Sequence, residues 1–313
     1  MKKLTLALTM LMGVFASCSE ENEAPVNNTE TIPMSVKTNI APSRAMISGT
    51  GLPDKAEMGV TLVEDKTDVT KYDGLTDGYY NIQYKASGTV PTQSWTAVDK
   101  PIYLSATDGK AVAYYPYKAT ETDYKTLTVE TQTQIDYLYS GWVKPISNSN
   151  PEATFEMKHA LTGIRINLKK GTYTAAGMVE EIRIESEGFG IEGKLDASTG
   201  KITDVTVGEV NSYMMRPVFE QFTLRDDYFQ GTLLMVVPVA DKLANVTITV
   251  GADGKKYQAS GIMSDAFLQG NIYTFELTLN NTALVVSGEV SVTPWVEDDS
   301  ATTGNGGVLQ PVP

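Results

Sequence analysis

The sequence contains few of the side chains that enzymes most often use for chemistry. Of its 313 residues, one is a cysteine, Cys18, and one is a histidine, His159. A single cysteine excludes a disulfide within the chain, and a single histidine excludes a metal site built from several histidines. The sequence also lacks a phosphate-binding loop, a G-x-S-x-G motif and a dinucleotide-binding fingerprint. We therefore predict a protein that is not an enzyme and that binds no cofactor and no metal.

Long apolar runs and positive charge are also scarce. After residue 15 no apolar run is long enough to cross a bilayer. The chain has 25 basic and 38 acidic residues, and residues 18–313 alone carry a net charge of −15, because residues 1–17 hold two lysines and no acidic residue. Such a chain repels nucleic acids and anionic lipids, so we expect neither as a partner.

The one long apolar run lies at the N-terminus. Two lysines precede Leu4–Phe15, which is the layout of a secretory signal peptide over residues 1–17. The run ends in the sequence FASC, which resembles a bacterial lipobox. The resemblance implies cleavage between Ser17 and Cys18 and lipids on the Cys18 thiol, and hence an outer-membrane lipoprotein at the cell surface. A stray or buried free thiol is the alternative.

The segment that follows the lipobox is polar and acidic. Residues 18–31 show no hydrophobic periodicity, so we predict a flexible tether. Ser19–Glu23 resembles the acidic export signal of Bacteroidetes lipoproteins. A solvated acidic linker explains the same charges.

Most of the remaining sequence is strand-like. Alternation of apolar and polar residues, typical of half-buried antiparallel strands, occurs in Met34–Ile40, Thr162–Leu168, Glu181–Glu185, Val246–Val250 and Ile272–Leu279. Leu233–Val239 is continuously apolar, which predicts a strand buried on both faces. Asp253-Gly254 predicts a hairpin turn between two such segments. We find no long amphipathic helix, so the predicted fold class is all-β.

The spacing of these short strands indicates β-sandwiches. The stretch Lys144–Glu152, rich in Pro, Asn and Ser, predicts a boundary between two tandem antiparallel sandwiches. The predicted domains cover residues 32–147 and 148–296, and residues 297–313 form a C-terminal extension.

Two local features bear on chemistry. His159 lies in the sequence FEMKHAL, at the entry to a strand, and we interpret it as structural rather than catalytic. The acidic stretch Glu64–Asp73 offers oxygen ligands to Ca²⁺ but lacks the spacing of an EF-hand, so we interpret it as a loop.

Three motifs, in this order, resemble a known family. APSRA occupies Ala41–Ala45 after the first predicted strand, AVAYYPY occupies Ala111–Tyr117, and FEMKHALTGIRINL occupies Phe155–Leu168. Together with the lipobox and the late segment Val290–Trp295, they resemble the fimbrillin-like (Mfa-like, type V pilin) lipoproteins of Bacteroidales.

The resemblance implies transthyretin-like sandwiches and a subunit of a fimbrium. It implies that a trypsin-like protease cuts between Arg44 and Ala45 and so removes the first strand. A strand from the next subunit then fills the groove by β-strand addition. The candidate donor is the extension 297–313, whose apolar side chains are Val308, Leu309 and Val312. The implied partners are other pilin subunits, the protease and the outer membrane.

A surface glycan-binding or adhesin lipoprotein, including a pilus tip subunit, is the alternative function. Its mark is an exposed aromatic platform, for which the candidates are Trp95, Trp142, Tyr79-Tyr80, Tyr114-Tyr115, Tyr137 and Tyr139. Aromatic residues on strands more often belong to the core or to cross-strand pairs, which favours the pilin interpretation.

Overall fold

The computed structural model describes residues 31–40, 52–75, 78–89, 92–186, 188–207, 212–215, 222–230, 233–239, 245–262 and 266–295. Over these ranges the chain is built from strands and contains no helix, which confirms the all-β prediction. The same ranges therefore include no helix that could cross a membrane.

The first sheet contains most strands of the N-terminal half. The strands of this half are β1 (Ile32–Pro33), β2 (Ser35–Ile40), β3 (Glu57–Glu64), β4 (Tyr79–Ser87), β5 (Ser94–Ala97), β6 (Tyr103–Leu104), β7 (Gly109–Tyr115), β8 (Leu127–Glu130), β9 (Leu138–Tyr139), β10 (Val143–Ile146) and β11 (Glu152–His159). Their order in the sheet is β2-β11-β9-β7-β3-β4-β5, with β10 also on β7 and with β1 paired separately to β6.

This first sheet curls until its two edge strands approach each other. β2 and β5 stand at opposite ends of the strand order, yet Trp95 on β5 donates a hydrogen bond to Thr38 on β2. The curled sheet encloses the first core, whose largest fully buried side chains include Tyr72, Phe155 and Met58.

Two further sheets enclose a second core. The strands of the C-terminal half are β12 (Thr162–Lys170), β13 (Met178–Glu185), β14 (Phe189–Gly190), β15 (Glu192–Leu195), β16 (Ile202–Thr206), β17 (Ser212–Met215), β18 (Phe222–Thr223), β19 (Phe229–Gln230), β20 (Leu234–Pro238), β21 (Thr247–Ala252), β22 (Lys255–Ala259), β23 (Asn271–Leu279), β24 (Leu284–Val286) and β25 (Ser291–Pro294). One sheet has the order β14-β20-β12-β23-β24, with β19 on β12 and β25 on β23. The other has the order β17-β13-β21-β22, with β18 on β13.

The sequence pattern of several strands is confirmed. On β23 the apolar row Tyr273, Phe275, Leu277 and Leu279 is buried in the second core. β20 is buried on both faces, because its alternate side chains enter the second core on one side and a separate apolar cluster on the other.

That separate cluster, which we call the junction, joins the two halves. Tyr114 and Tyr137 from the first half pack into it, together with Leu161, Met235 and Trp295 from the second half. A small sheet of order β16-β15-β8 also pairs strands of both halves. The link between β11 and β12 consists of Ala160 and Leu161, which are fully buried.

β11 follows the sequence-based boundary between residues 147 and 148, yet it packs with strands of the first half. β11 pairs with β2 and β9, and its Ala153, Phe155 and Met157 are fully buried in the first core. The Pro-, Asn- and Ser-rich stretch is a tight turn inside the first half, in which Asn150 Nδ2 donates to the carbonyl of Pro145 at 2.6 Å. Turns and interdomain linkers share this composition, so the composition alone could not separate them.

Strand direction also differs from the expectation in two places. The pairs β2–β11 and β12–β23 are parallel, whereas every other pairing between the described strands is antiparallel. A period-two pattern reports which face of a strand is buried and carries no information on its direction. The number of sandwiches remains a prediction.

The predicted hairpin at Asp253-Gly254 is confirmed. β21 and β22 pair in antiparallel register across it, and both turn residues have positive φ, 48° and 72°. Such angles define the turn that best matches strand twist. The Asp253 carboxylate has a second role, because its oxygens accept hydrogen bonds from Gly177 N at 2.7 Å and Met178 N at 3.0 Å.

These bonds make the turn sensitive to acid. The hydrogen bonds from Gly177 and then Met178 lower the pKa of Asp253 below its ordinary value. A carboxylate with a lowered folded-state pKa stabilises the fold above its unfolded pKa of about 4, and this contribution is lost as pH falls through the folded-state pKa. In urea unfolding, we expect wild type to be more stable than Asp253→Asn at pH 6, and the difference to shrink by pH 2. Asparagine keeps the positive φ, so an equal difference at both pH values would contradict the role of the charge.

Candidate functional site: the first strand and its groove

Among the described strands, β2 stands at the edge of the first sheet and has one hydrogen-bonded neighbour. It pairs with β11 in parallel register from Ser35 opposite Glu152 to Ile40 opposite Met157. β1 precedes it and pairs with β6. The two strands thus lie across the first core, and the described backbone pairing of each is with one strand, β6 for β1 and β11 for β2.

The inward face of β2 belongs to the first core. Met34, just before the strand, and Val36 and Ile40 on it are buried, as the alternation of Met34–Ile40 predicts. They pack in the cluster that contains Phe155 and Leu104. We call the trough that these side chains fill, between β11 and β5, the groove.

The outward face of β2 is polar. Lys37 Nζ lies 2.7 Å from Glu152 Oε2, and Asn39 Nδ2 donates to Glu156 Oε1 at 2.6 Å. Both residues of the ion pair are largely exposed, so the pair contributes at most about 1 kcal/mol. The attachment of β2 therefore rests on its ladder with β11 and on its buried side chains.

One inward residue of β2 is polar. Thr38 lies in the apolar row, and its Oγ1 accepts a hydrogen bond from Trp95 Nε1 at 3.1 Å. Trp95 is 9% exposed, so its indole N–H depends on β2 for a partner. Sequence reasoning treated Trp95 as a platform candidate and missed this contact. The signal that could have found it is a hydroxyl within an apolar row, which needs a buried donor or acceptor.

Of the predicted site residues, Arg44 and Ala45 are the ones that follow β2 closely in the sequence. Ser17, Cys18, Arg44, Ala45 and residues 297–313 lie outside the described residues. Arg44 follows the last residue of β2, Ile40, by four positions.

The sequence match to a known family covers most of the chain. A model of the fimbrillin-like family matches residues 43–295. The chain belongs to the fimbrillin-like family. The matched range of this fimbrillin-like chain begins just after β2 and includes β3 to β25, so the resemblance seen in the motifs is confirmed.

Relatives of this fimbrillin-like chain are known in sequence and in structure. A curated protein of Bacteroides uniformis that carries the name of a fimbrium subunit, Fim1C, is 25% identical over 245 residues, which are 74% of this chain and 75% of that protein. A solved structure from Bacteroides ovatus, described as a cell adhesion protein, has a TM-score of 0.66 at 19% identity and covers 86% of this chain and 100% of that one. A second solved structure, described as a cell adhesion protein of Bacteroides uniformis, has a TM-score of 0.63 at 22% sequence identity. It covers 84% of this chain and 99% of that one. At these identities the two structures show a shared fold.

The aromatic candidates of the fimbrillin-like chain do not form an exposed platform. Each of the residues named for it is buried or half-buried: Trp95, Trp142, Tyr79, Tyr80, Tyr114, Tyr115, Tyr137 and Tyr139. Trp142 is covered by the edge of Tyr124 at 5.1 Å and by Lys110 Nζ at 5.1 Å. A depression beside Tyr80 and Tyr124 is too shallow to enclose even one water molecule, so it has no room for a small ligand.

In the acidic stretch Glu64–Asp73, two carboxylates form ion pairs with lysines. Glu64 Oε2 lies 2.7 Å from Lys66 Nζ, and Asp65 Oδ1 lies 3.0 Å from Lys144 Nζ. Within the described residues no group of three or more potential ligands could hold a metal ion. Glu64 ends β3, the residues after it form a loop, and the carboxylates of Glu64 and Asp65 pair with lysines.

His159 lies at the junction, at the end of β11. Its ring is 4% exposed and stacks on Trp295 with centroids 4.3 Å apart. Its Nδ1 is 3.0 Å from Asp136 Oδ1, and among the described residues its Nε2 has no hydrogen-bond partner. The contacts are those of a structural histidine that joins the two halves.

Proposed function

We propose that this fimbrillin-like chain is a structural, non-enzymatic subunit of a cell-surface pilus, and that removal of its first strand allows it to polymerise. The observation that carries the proposal is β2, an edge strand that fills the first core and has one ladder neighbour. The family membership and the fimbrium name of the relative support a place in a surface fimbrium.

The proposed precursor is an outer-membrane lipoprotein. Lipids on Cys18 hold it at the membrane, with the signal peptide 1–17 removed between Ser17 and Cys18. A trypsin-like protease then cuts between Arg44 and Ala45. Because β1 and β2 both precede Arg44 in the chain, this single cut separates them, together with the lipid, from the rest of the fold.

Loss of β2 leaves an empty groove that favours the binding of another strand. Met34, Val36 and Ile40 each contribute about 1.5–3 kcal/mol by burial, so the empty groove is costly to expose to water. The edge of β11 also loses its ladder partner. A strand from a neighbouring subunit restores both kinds of contact, as in β-strand addition. Repeated head-to-tail addition gives a filament, because such contacts do not close.

The remaining partner and domain assignments belong to the same proposal. The subunit has two sandwich-like halves joined at the junction, and the extension 297–313 is the donor offered to the neighbour. Its partners are other pilin subunits, of the same or another kind, and the maturation protease. A host or bacterial surface ligand is bound if the subunit stands at the pilus tip.

Limited trypsin digestion of protein lacking residues 1–18 tests this function. Between Lys37 and Lys55 the only trypsin site is Arg44, and Lys37 is protected by the β2–β11 ladder. We expect one early cut with a new N-terminus at Ala45, read by N-terminal sequencing, and a ladder of multimers on unheated detergent gels. A first cut elsewhere, or a cut at Arg44 without multimers, would remove the stalk function and leave the adhesin alternative, which a glycan array tests.

A further inference from the structure

The groove contains one polar contact among its apolar ones. The inward row of the first strand consists of Met34, Val36, Thr38 and Ile40. Thr38 is the only one of the four that carries a hydroxyl group. Its Oγ1 accepts the hydrogen bond of Trp95 Nε1 at 3.1 Å. The contact connects the two edges of the curled sheet, because Trp95 lies on β5 and Thr38 on β2.

An indole N–H can only donate a hydrogen bond, so Trp95 needs an acceptor whenever a strand covers it. In an empty groove, water takes that place. A strand that presents only apolar side chains would remove the water and leave the N–H unpaired, which is disfavoured in a buried site. The groove therefore discriminates between strands of similar hydrophobicity.

The same contact sets the register of the strand. Side chains alternate between the two faces with a period of two, so a slip by one residue would turn the apolar row outward. A slip by two residues would bring Val36 or Ile40 against Trp95 and leave its N–H without an acceptor. In β2 the required arrangement is thus Val36-x-Thr38-x-Ile40.

The extension 297–313 contains a segment with this arrangement. Val308, Gln310 and Val312 alternate as apolar, acceptor and apolar. The pattern reads the same in both directions, so it fits the row whether the incoming strand runs parallel or antiparallel to β11. Pro311 then takes an outward position on an edge strand, where proline is tolerated.

We propose that Trp95 determines the register of the incoming strand, and that in a polymer of this chain its hydrogen-bond acceptor is the Gln310 side-chain carbonyl of a neighbouring copy. Val308 and Val312 of that copy then occupy the positions that Val36 and Ile40 hold before the cut. This inference rests on the strand exchange proposed above. Trp95 acts as a specificity-determining residue of that exchange, and Gln310 takes over the hydrogen bond that Thr38 makes before the cut.

A double-mutant cycle on the full chain tests the pairing. Trypsin-cut polymers of wild type, Gln310→Leu, Trp95→Phe and the double variant are diluted into urea, and the rate of subunit release is measured. We expect Gln310→Leu to release about tenfold faster than wild type, equivalent to about 1.4 kcal/mol. We expect it to have little further effect in the Trp95→Phe background, because phenylalanine has no N–H to leave unpaired.

Two further variants complete the design. Gln310→Thr restores an acceptor like that of Thr38, so its release rate should return to within about twofold of wild type. Gln258→Leu makes the same change as Gln310→Leu at an exposed position of β22, outside the groove and the extension, and should not alter the rate. Equal release from wild type and Gln310→Leu, or the same effect with and without the indole, would overturn the pairing while leaving strand exchange intact. Cut wild-type protein that forms no polymer would overturn both.

Discussion

Replacing Arg44 with alanine is expected to leave the protein monomeric under conditions in which wild type polymerises. Arg44 is the only site for a trypsin-like protease between Lys37 and Lys55, so the variant should keep β2 in the groove. Its edge of β11 then stays paired and its apolar row stays covered. The effect is all or none, because a filled groove offers no place for a neighbour's strand. Detergent gels without heating, after incubation with protease, measure it.

Two control variants separate cleavage from folding. Arg44→Lys keeps a trypsin site, so it should be cut and should polymerise like wild type. Arg44→Ala should have the same urea unfolding midpoint as uncut wild type, because the substitution lies outside β2. Multimers formed by uncut Arg44→Ala would show that β2 does not block assembly, and the maturation step would have to be abandoned.

Replacing His159 with alanine is expected to destabilise the uncut protein by about 1–3 kcal/mol, the cost of leaving a buried hydrogen-bonding partner unpaired. Asp136 is 3% exposed and its carboxylate meets the imidazole Nδ1. The substitution also removes the ring on which Trp295 stacks. Both contacts belong to the junction, so unfolding of the two halves should shift together. Urea unfolding followed by tryptophan fluorescence and by far-UV circular dichroism measures both changes.

The double variant with leucine at both positions 136 and 159 identifies the cause. Removing both polar partners leaves no unpaired group, and leucine refills much of the volume, so this variant should lose less stability than His159→Ala. Asp136→Asn keeps an acceptor for the imidazole N–H and should cost less stability than His159→Ala. If the double leucine variant is as unstable as His159→Ala, the lost stability comes mainly from the missing stacking on Trp295 and not from the unpaired carboxylate.

Local patterns in the sequence predicted much of the C-terminal half. The row Tyr273–Leu279, the doubly buried Leu233–Val239 segment and the Asp253-Gly254 turn each depend on neighbours in sequence, and the structure confirms each of them. The strand Met34–Ile40 was predicted for the same reason. Whether it fills a core depends on the distant β11, which its own pattern does not reveal.

The parts that could not be predicted are contacts between distant residues. The assignment of β11 to the first core, the parallel pair β12–β23 and the approach of β5 to β2 all depend on how the sheets fold back. Trp95 shows the limit most clearly. The sequence presents it as one aromatic residue among many, and only the curl of the sheet brings it to Thr38.

The short link between β11 and β12 determines how a filament of such subunits would carry tension. A neighbour's strand seated in the groove would pull on β11, and Ala160 and Leu161 connect β11 directly to β12. β12 lies between β20 and β23 and is paired with β23 from Gly163 to Lys170. A pull along β12 loads this ladder in shear, so its hydrogen bonds share the force instead of opening one after another. The longest ladder among the described strands thus lies on the line of load, and the rate of forced unfolding, which governs mechanical lifetime, should be set there.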